Sequence, residues 1–306
     1  MKDFPSCFGE NGVQVADFSS FSPSNVSRVP QNTVTCVYQC ILRGKSCCIT
    51  VTWSKNLMGQ SLSVGVDDKM TNHSVFKVDI KPWLFSAKKK GSKILQANDS
   101  CKIDVYWDLC SAKFGSGPEP LEGFYVGIVF GKQMVLLLGD MRKEALKKTG
   151  AAPSPCFAVF VSKREHIFGK RLFSTKAKFY DISHDLVIEC DTSGGGANEP
   201  ILAIRLDNKL MVQVKRLRWK FRGNQTIFVN GLAVEVFWDV HNWLFGQTSI
   251  GSGVFMFKTK TREEKLFPLC DDDPHKLHWS SSHQRFRDSQ LQSPGFSLIL
   301  YAWKNE

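Results

Sequence analysis

The sequence predicts an all-β protein made of two related antiparallel β units, sandwich- or barrel-like, that arise from an internal duplication and have one short helix between them. Three observations carry that prediction. One motif is written twice: Ile103-Asp104-Val105-Tyr106-Trp107-Asp108-Leu109 is followed by Phe114-Gly115 and Gly123-Phe124-Tyr125-Val126-Gly127, and Val234-Glu235-Val236-Phe237-Trp238-Asp239-Val240 by Phe245-Gly246 and Gly253-Val254-Phe255-Met256-Phe257. Short β-prone runs recur between turn residues, and a single stretch reads as a convincing helix. An irregularity also repeats. The apolar phase slips by one residue at Lys81-Pro82, between Ile80 and Trp83, and again at Lys215-Arg216, between Val214 and Leu217. A slip that keeps both stretches facing a core requires a bulge.

Taken in order, residues 1–31 are a Ser-, Pro- and Asn-bearing tail with few apolar positions. The first β unit spans 32–139. Thr33 to Leu42 and Cys48 to Trp53 form a hairpin about Arg43-Gly44-Lys45-Ser46, and Ser61 to Asp67 alternates with Leu62, Val64 and Val66 on one face. Phe76, Val78 and Ile80 share a face before the slip to Trp83 and Phe85. Lys93 to Gln96, Cys101 to Leu109, Phe124 to Phe130 and Met134 to Leu138 complete the unit, with a Pro-bearing loop from Gly115 to Glu122.

Residues 140–155 hold the helix, Met141 to Thr149, with Asp140 as N-cap and Gly150 as terminator, and a linker from Ala151 to Pro155. The second unit spans 156–260 and opens on a strand from Cys156 to Ser162. Its Leu202-Ala203-Ile204-Arg205-Leu206-Asp207-Asn208-Lys209 lies over Leu62-Ser63-Val64-Gly65-Val66-Asp67-Asp68-Lys69, and Trp219-Lys220-Phe221 over Trp83-Leu84-Phe85. Asn230-Gly231 makes a two-residue hairpin turn. Residues 261–306 are a long polar loop to Pro294 and a final strand from Phe296 to Trp303.

The 306 residues are 42% hydrophobic, enough apolar material for a substantial core, and the formal net charge is +11. Such a balance attracts nucleic acid, an anionic membrane surface or an acidic protein without choosing among them. The 10 cysteines include no CxxC pair, so they read as reduced thiols and Cys36, Cys40, Cys47 and Cys48 as small apolar residues rather than ligands. With no signal-peptide pattern and no run long enough to span a bilayer, the expectation is a soluble intracellular protein, cytoplasmic or nuclear.

The candidate site is the basic stretch Lys215, Arg216, Arg218, Lys220 and Arg222. With Val212, Val214, Leu217, Trp219 and Phe221 facing inward, these cations form a positive stripe suited to an anionic partner. The corresponding strand of the first unit carries Lys77, Asp79 and Lys81, so the stripe belongs to one half alone. The plainer reading is a solvated face cross-paired with Glu235 and Asp239. In the repeated motif, Trp fills an interface while the following Asp caps a turn or pairs with a neighbouring Lys or Arg. The separation of the two copies far exceeds a propeller blade of about 40 to 45 residues.

No catalytic set, metal site or cofactor is expected. Asp271-Asp272-Asp273 with His275 and His278 lacks a ligand pattern, His184 and His241 lack assigned partners, and Ser193-Gly194-Gly195-Gly196-Ala197 leads into no helix.

Lys81-Pro82-Trp83-Leu84-Phe85, Trp107-Asp108-Leu109 with Ser111-Ala112-Lys113-Phe114-Gly115-Ser116-Gly117-Pro118-Glu119-Pro120, Glu165-His166-Ile167-Phe168-Gly169-Lys170-Arg171, and Gln213-Val214-Lys215-Arg216-Leu217-Arg218-Trp219-Lys220-Phe221-Arg222-Gly223-Asn224-Gln225-Thr226 resemble a plant-specific family, domain of unknown function 868. The resemblance runs from about Gln31 to Lys260 and includes the strand from Gly295 to Trp303. It implies a plant origin and carries over no catalytic residue, cofactor or ligand. The residues themselves point to a non-enzymatic binding or protein-interaction module whose basic face engages an acidic partner. The competing readings are a β-sandwich or barrel binder of a small ligand, lipid or carbohydrate, and an enzyme of unrecognised type.

Overall fold

Residues with strong β preference on either side of Arg43-Gly44 make the first hairpin. β1 (Asn32–Leu42) and β2 (Lys45–Asn56) pair antiparallel from Asn32↔Lys55 to Leu42↔Lys45. Arg43 and Gly44 have φ of 51° and 77°, the left-handed pair that matches a two-residue turn to the twist of its strands. Asn230 and Gly231, at 50° and 80°, join Val229 to Leu232 in the same way, as expected from the sequence.

The computed structural model describes residues 32–57, 59–68, 74–80, 89–98, 101–153, 158–180, 182–191, 199–246, 251–259 and 295–304. The expected N-terminal tail, the slip at Lys81-Pro82, the Ser193 to Ala197 run and the 261–294 loop with its Asp and His residues lie outside them.

After β1 and β2 come β3 (Gly59–Asp68), β4 (Ser74–Ile80), β5 (Lys90–Asn98), β6 (Cys101–Asp108), β7 (Lys113–Phe114), β8 (Pro120–Glu122), β9 (Tyr125–Phe130) and β10 (Gln133–Gly139). Helix α1 (Arg142–Thr149) and β11 (Ala152–Pro153) follow, then β12 (Val159–Gly169), β13 (Leu172–Phe179), β14 (Ile182–Asp191), β15 (Ile201–Leu206) and β16 (Lys209–Val214). The chain continues through β17 (Arg222–Val229), β18 (Leu232–Asp239), α2 (His241–Phe245), β19 (Ser252–Thr259) and β20 (Ser297–Lys304). The protein is all-β in class, and none of its sheets closes into a barrel among the described residues.

Strands from both ends of the chain share one nine-stranded sheet in the order β17-β18-β19-β20-β12-β1-β2-β3-β4. β12 is its hinge in sequence, antiparallel to β1 and parallel to β20. A five-stranded sheet, β11-β10-β9-β6-β5, and a four-stranded sheet, β13-β14-β15-β16, hold most of the remaining strands, and β7 pairs with β8.

Period-two alternation places the buried rows. Ile49, Val51, Trp53, Leu62, Val64 and Val66 of the nine-stranded sheet pack with Ile103, Val105, Trp107, Val126 and Ile128 of the five-stranded sheet. At the other end Val234, Val236, Phe255, Phe257, Leu298 and Leu300 pack with Phe173, Leu186, Ile188, Leu202 and Ile204 of the four-stranded sheet. Each such side chain contributes roughly 1.5–3 kcal/mol by leaving water.

Gly150 ends α1 as its sequence position predicts, with φ 59° and its N–H on the Leu146 carbonyl at 2.9 Å. Asp140 does not cap the helix. Its Oδ1 instead accepts the Gly123 and Phe124 N–H groups at 2.8 and 3.1 Å, tying the entry of β9 to the end of β10. Those two backbone bonds hold the Asp140 carboxyl below its ordinary pKa, and α1 starts from Met141 without a side-chain cap.

Candidate functional site

The repeated Trp-Asp motif builds a staple twice, and the second of the two stands beside the basic stretch. In the first copy Gly91 pairs with Trp107, and a Cβ on the glycine would stand 2.7 Å from Trp107 Cζ2. Lys90 pairs with Asp108, Nζ to Oδ2 at 2.6 Å, while Asp108 Oδ1 accepts the Cys110 N–H at 3.1 Å and Leu109 N–H bonds the Lys89 carbonyl. In the second copy Gly223 pairs with Trp238, with a Cβ standing 2.4 Å from Cζ2. Arg222 Nε donates to Asp239 Oδ2 at 2.8 Å, Asp239 Oδ1 accepts the His241 N–H at 3.0 Å, and Val240 N–H bonds the Phe221 carbonyl. The Asp therefore both caps a turn and pairs with a cation, as the sequence reading proposes.

From Lys215 to Phe221 the basic stretch is not a strand, and only Arg222 belongs to one, β17. β16 ends at Val214, Arg216 turns left-handed at φ 55°, and the Trp219 and Lys220 N–H groups both bond the Arg216 carbonyl, at 2.9 and 3.2 Å. Once the chain turns, period-two alternation no longer governs which side chains point inward. Leu217 stays fully buried, Phe221 is half-buried, and Trp219, expected inward, is 81% exposed.

What forms is a knuckle, a crossover between the four- and nine-stranded sheets. Leu217 anchors it in the core, with its N–H on the Pro200 carbonyl. At the far end Trp238 Nε1 donates to the Lys220 carbonyl at 3.0 Å. Between these fixed points Lys215, Arg216, Arg218, Trp219, Lys220 and Arg222 are all exposed.

The cations do not behave alike. Arg222 is committed to Asp239 and stacks its guanidinium 5.4 Å from the Phe221 ring, so cross-pairing accounts for that residue. Among the described residues no carboxylate stands within ion-pair distance of Lys215, Arg216, Arg218 or Lys220. Beside the knuckle Phe221, His241 and Phe245 form an aromatic cluster with ring separations of 5.3 to 5.6 Å.

Three ionisable groupings lie elsewhere, outside the site expected from the sequence. Lys163 Nζ stands 2.9 Å from Glu119 Oε2 and 3.5 Å from Glu165 Oε2, and Thr175 donates to Glu165 Oε1 at 2.8 Å. Burial pulls the Lys163 ammonium down, but the two carboxylates outweigh it and hold its pKa above the ordinary lysine value. Next to it the Cys36 thiol is pushed up to about 12, by burial first and by the Glu119 charge second. The available signal is Lys163 and Glu165 sharing the phase of buried Ile167 on one strand; Glu119 is too distant in sequence to be paired by pattern.

His184, 6% exposed, donates Nδ1–H to Asp207 Oδ2 at 2.7 Å and thereby holds that carboxyl below its usual pKa. On the opposite face of β12 from Lys163, Trp303 Nε1 donates to His166 Nδ1 at 3.0 Å, and burial lowers the His166 pKa.

Fold and site together define an all-β protein with a nine-stranded central sheet and a cationic knuckle at its β17 end. A family model described as a plant protein of unknown function (DUF868) matches residues 29–304, and the chain belongs to that family. No curated protein matches the chain. Among solved structures, kievitone hydratase from Nectria haematococca is similar at 10% identity and a TM-score of 0.25, over 76% of this chain and 84% of that one; at that score the likeness carries no argument. No helix among the described residues is long and apolar enough to cross a membrane.

Proposed function

We propose that this protein is a non-enzymatic binding module that docks an acidic protein on the knuckle formed by Lys215, Arg216, Arg218 and Lys220, with Trp219 as its apolar contact. One observation carries the reading: an exposed Trp stands among cations that have no carboxylate partner among the described residues, on a turn fixed at both ends. A turn whose backbone is already fixed gives up little backbone entropy on docking, and exposed Trp and Arg are the residue types that most often dominate binding energy. An acidic protein is favoured over single-stranded nucleic acid because stacking of successive bases needs a row of exposed rings. The knuckle itself offers one, Trp219, since Phe221 is half-buried and the exposed Phe245 beside it packs edge-on against Phe221 rather than continuing a row.

We further read the two halves as duplicated, sandwich-like β units, on the strength of the Gly-Trp contact and the Asp-cation pair that recur in each. The exposed free thiol of Cys110 suits a reducing, intracellular setting.

Replacing Arg216, Arg218 and Lys220 together with Ser tests the proposal. Retention on immobilised polyglutamate should fall and shift to lower salt, while thermal unfolding changes by less than about 0.5 kcal/mol, as for exposed surface substitutions. A large loss of stability with unchanged retention overturns it.

A further inference from the structure

The knuckle runs directly into β17, the terminal strand of the nine-stranded sheet. We infer that β17 is a strand-addition site, which takes an extended segment of the acidic partner along its open edge. The inference rests on the knuckle reading and adds the form in which the partner binds.

Pairing with β18 sets the phase of β17. Val229 and Leu232 flank a two-residue turn and so exchange both backbone hydrogen bonds, and Phe221, in the same phase, accepts the Val240 N–H. Residues 223, 225, 227 and 229 therefore spend their N–H and C=O groups on β18. Asn224, Thr226 and Phe228 turn theirs away from β18, toward an edge that pairs with no other strand among the described residues. Unpaired backbone groups in that arrangement template another strand.

Edge strands are commonly blunted with charge or proline. β4 carries Lys77 and Asp79, β5 Lys90 and Lys93, β13 Lys176 and Lys178, β16 Lys209, and β11 ends on Pro153. β17 carries no charge and no proline from Gly223 to Val229, and its Phe228 is 66% exposed. From Arg222 to Phe228 the edge extends about 20 Å at the rise of a strand. An added strand would meet an apolar ring at the Phe228 end and the cations of the knuckle at the Arg222 end. The matching segment is uncharged and β-prone along its length, with carboxylates at one end.

Fluorescence anisotropy of the full chain with a labelled peptide of alternating Thr and Val, ending in a Glu run, tests this. Two altered peptides separate the contributions: one N-methylated at alternate backbone nitrogens, which blocks strand pairing and keeps the charge, and one with Gln in place of Glu. The parent peptide should bind, and each alteration should weaken binding at least about tenfold. Thr226→Pro removes an outward N–H without touching the β18 ladder and should match the N-methyl loss while unfolding near the wild-type temperature. Equal binding of the N-methylated peptide overturns strand addition and leaves the knuckle reading standing. Equal binding of the Gln peptide, together with unchanged binding by the Ser triple variant, overturns the acidic partner itself. Absence of binding by the parent peptide, or sedimentation showing self-association that Thr226→Pro abolishes, overturns the proposal, the latter in favour of a second copy on the edge.

Discussion

The Trp107-Asp108 and Trp238-Asp239 staples use the same parts and differ in what surrounds them. Both pack the indole against a glycine that leaves no room for a Cβ, and both pin a turn with the Asp. The first aspartate is 5% exposed with Lys90 upon it, whereas the second lies nearer solvent and shares Arg222 with the Phe221 ring. The first motif leads into a plain turn at Cys110 to Ala112, the second into α2 and its aromatic cluster, with the cationic knuckle on its other side. Shared parts hold the fold, and the additions around the second copy hold the candidate interface.

Breaking the shared contact should cost most. Gly223→Ala is expected to destabilise by about 3 kcal/mol and Gly91→Ala by about 2 kcal/mol in urea unfolding, because overpacking forces the ring or backbone to move. The order follows the closer approach at Gly223 and the bond that fixes the Trp238 ring to Lys220. Equal and negligible losses would mean the indoles are free to shift.

The aspartates should separate next. Asp108→Asn is expected to cost about 1 kcal/mol, since it removes the charge from a buried carboxylate whose partner Lys90 is exposed, and Asp239→Asn, with both partners near solvent, less than that. Burial raises the Asp108 carboxyl pKa, but Lys90 and the Cys110 N–H outweigh it and set it below the ordinary value. Its contribution is thus full above about pH 4, the unfolded value, and is lost as pH falls through the lower folded value. The Asp108→Asn variant should show a shallower loss of stability in that acid range than wild type, measured by thermal unfolding across pH; an identical slope would remove Asp108 from the comparison.

The smallest effect on stability belongs to the knuckle. Trp219→Ala should shift unfolding by less than about 0.5 kcal/mol while lowering retention on polyglutamate. A loss of several kcal/mol would show that the indole packs inward after all.

Much of the architecture is legible in the sequence because local rules govern it. The Asn230-Gly231 turn, the Gly150 terminator and the alternation of Leu62, Val64 and Val66 each follow from a few neighbouring residues. The segment from Leu172 to Asp191, two strands in the structure, has no duplicated motif to mark it, and sequence pattern leaves it unassigned. Asp140 reads as a helix cap because it precedes α1, yet two N–H groups brought beside it by the β9–β10 pairing claim its carboxylate. Composition finds the basic residues of the site but not their form, since alternation extended past Val214 runs into a turn that strand periodicity does not describe.

By itself the sequence determined that the chain is all-β, that the Trp-Asp motif recurs, and that positive charge gathers between Lys215 and Arg222. Those properties depend on residue type and on contacts within a hairpin. Tertiary structure alone decided that β1–β4 and β17–β20 join one sheet through β12, that Lys163 sits between Glu119 and Glu165, and that Trp219 faces solvent. Each of these depends on pairing between distant segments or on a turn at Arg216, where strand periodicity ends and hydrogen bonds to a single carbonyl set the direction of the chain.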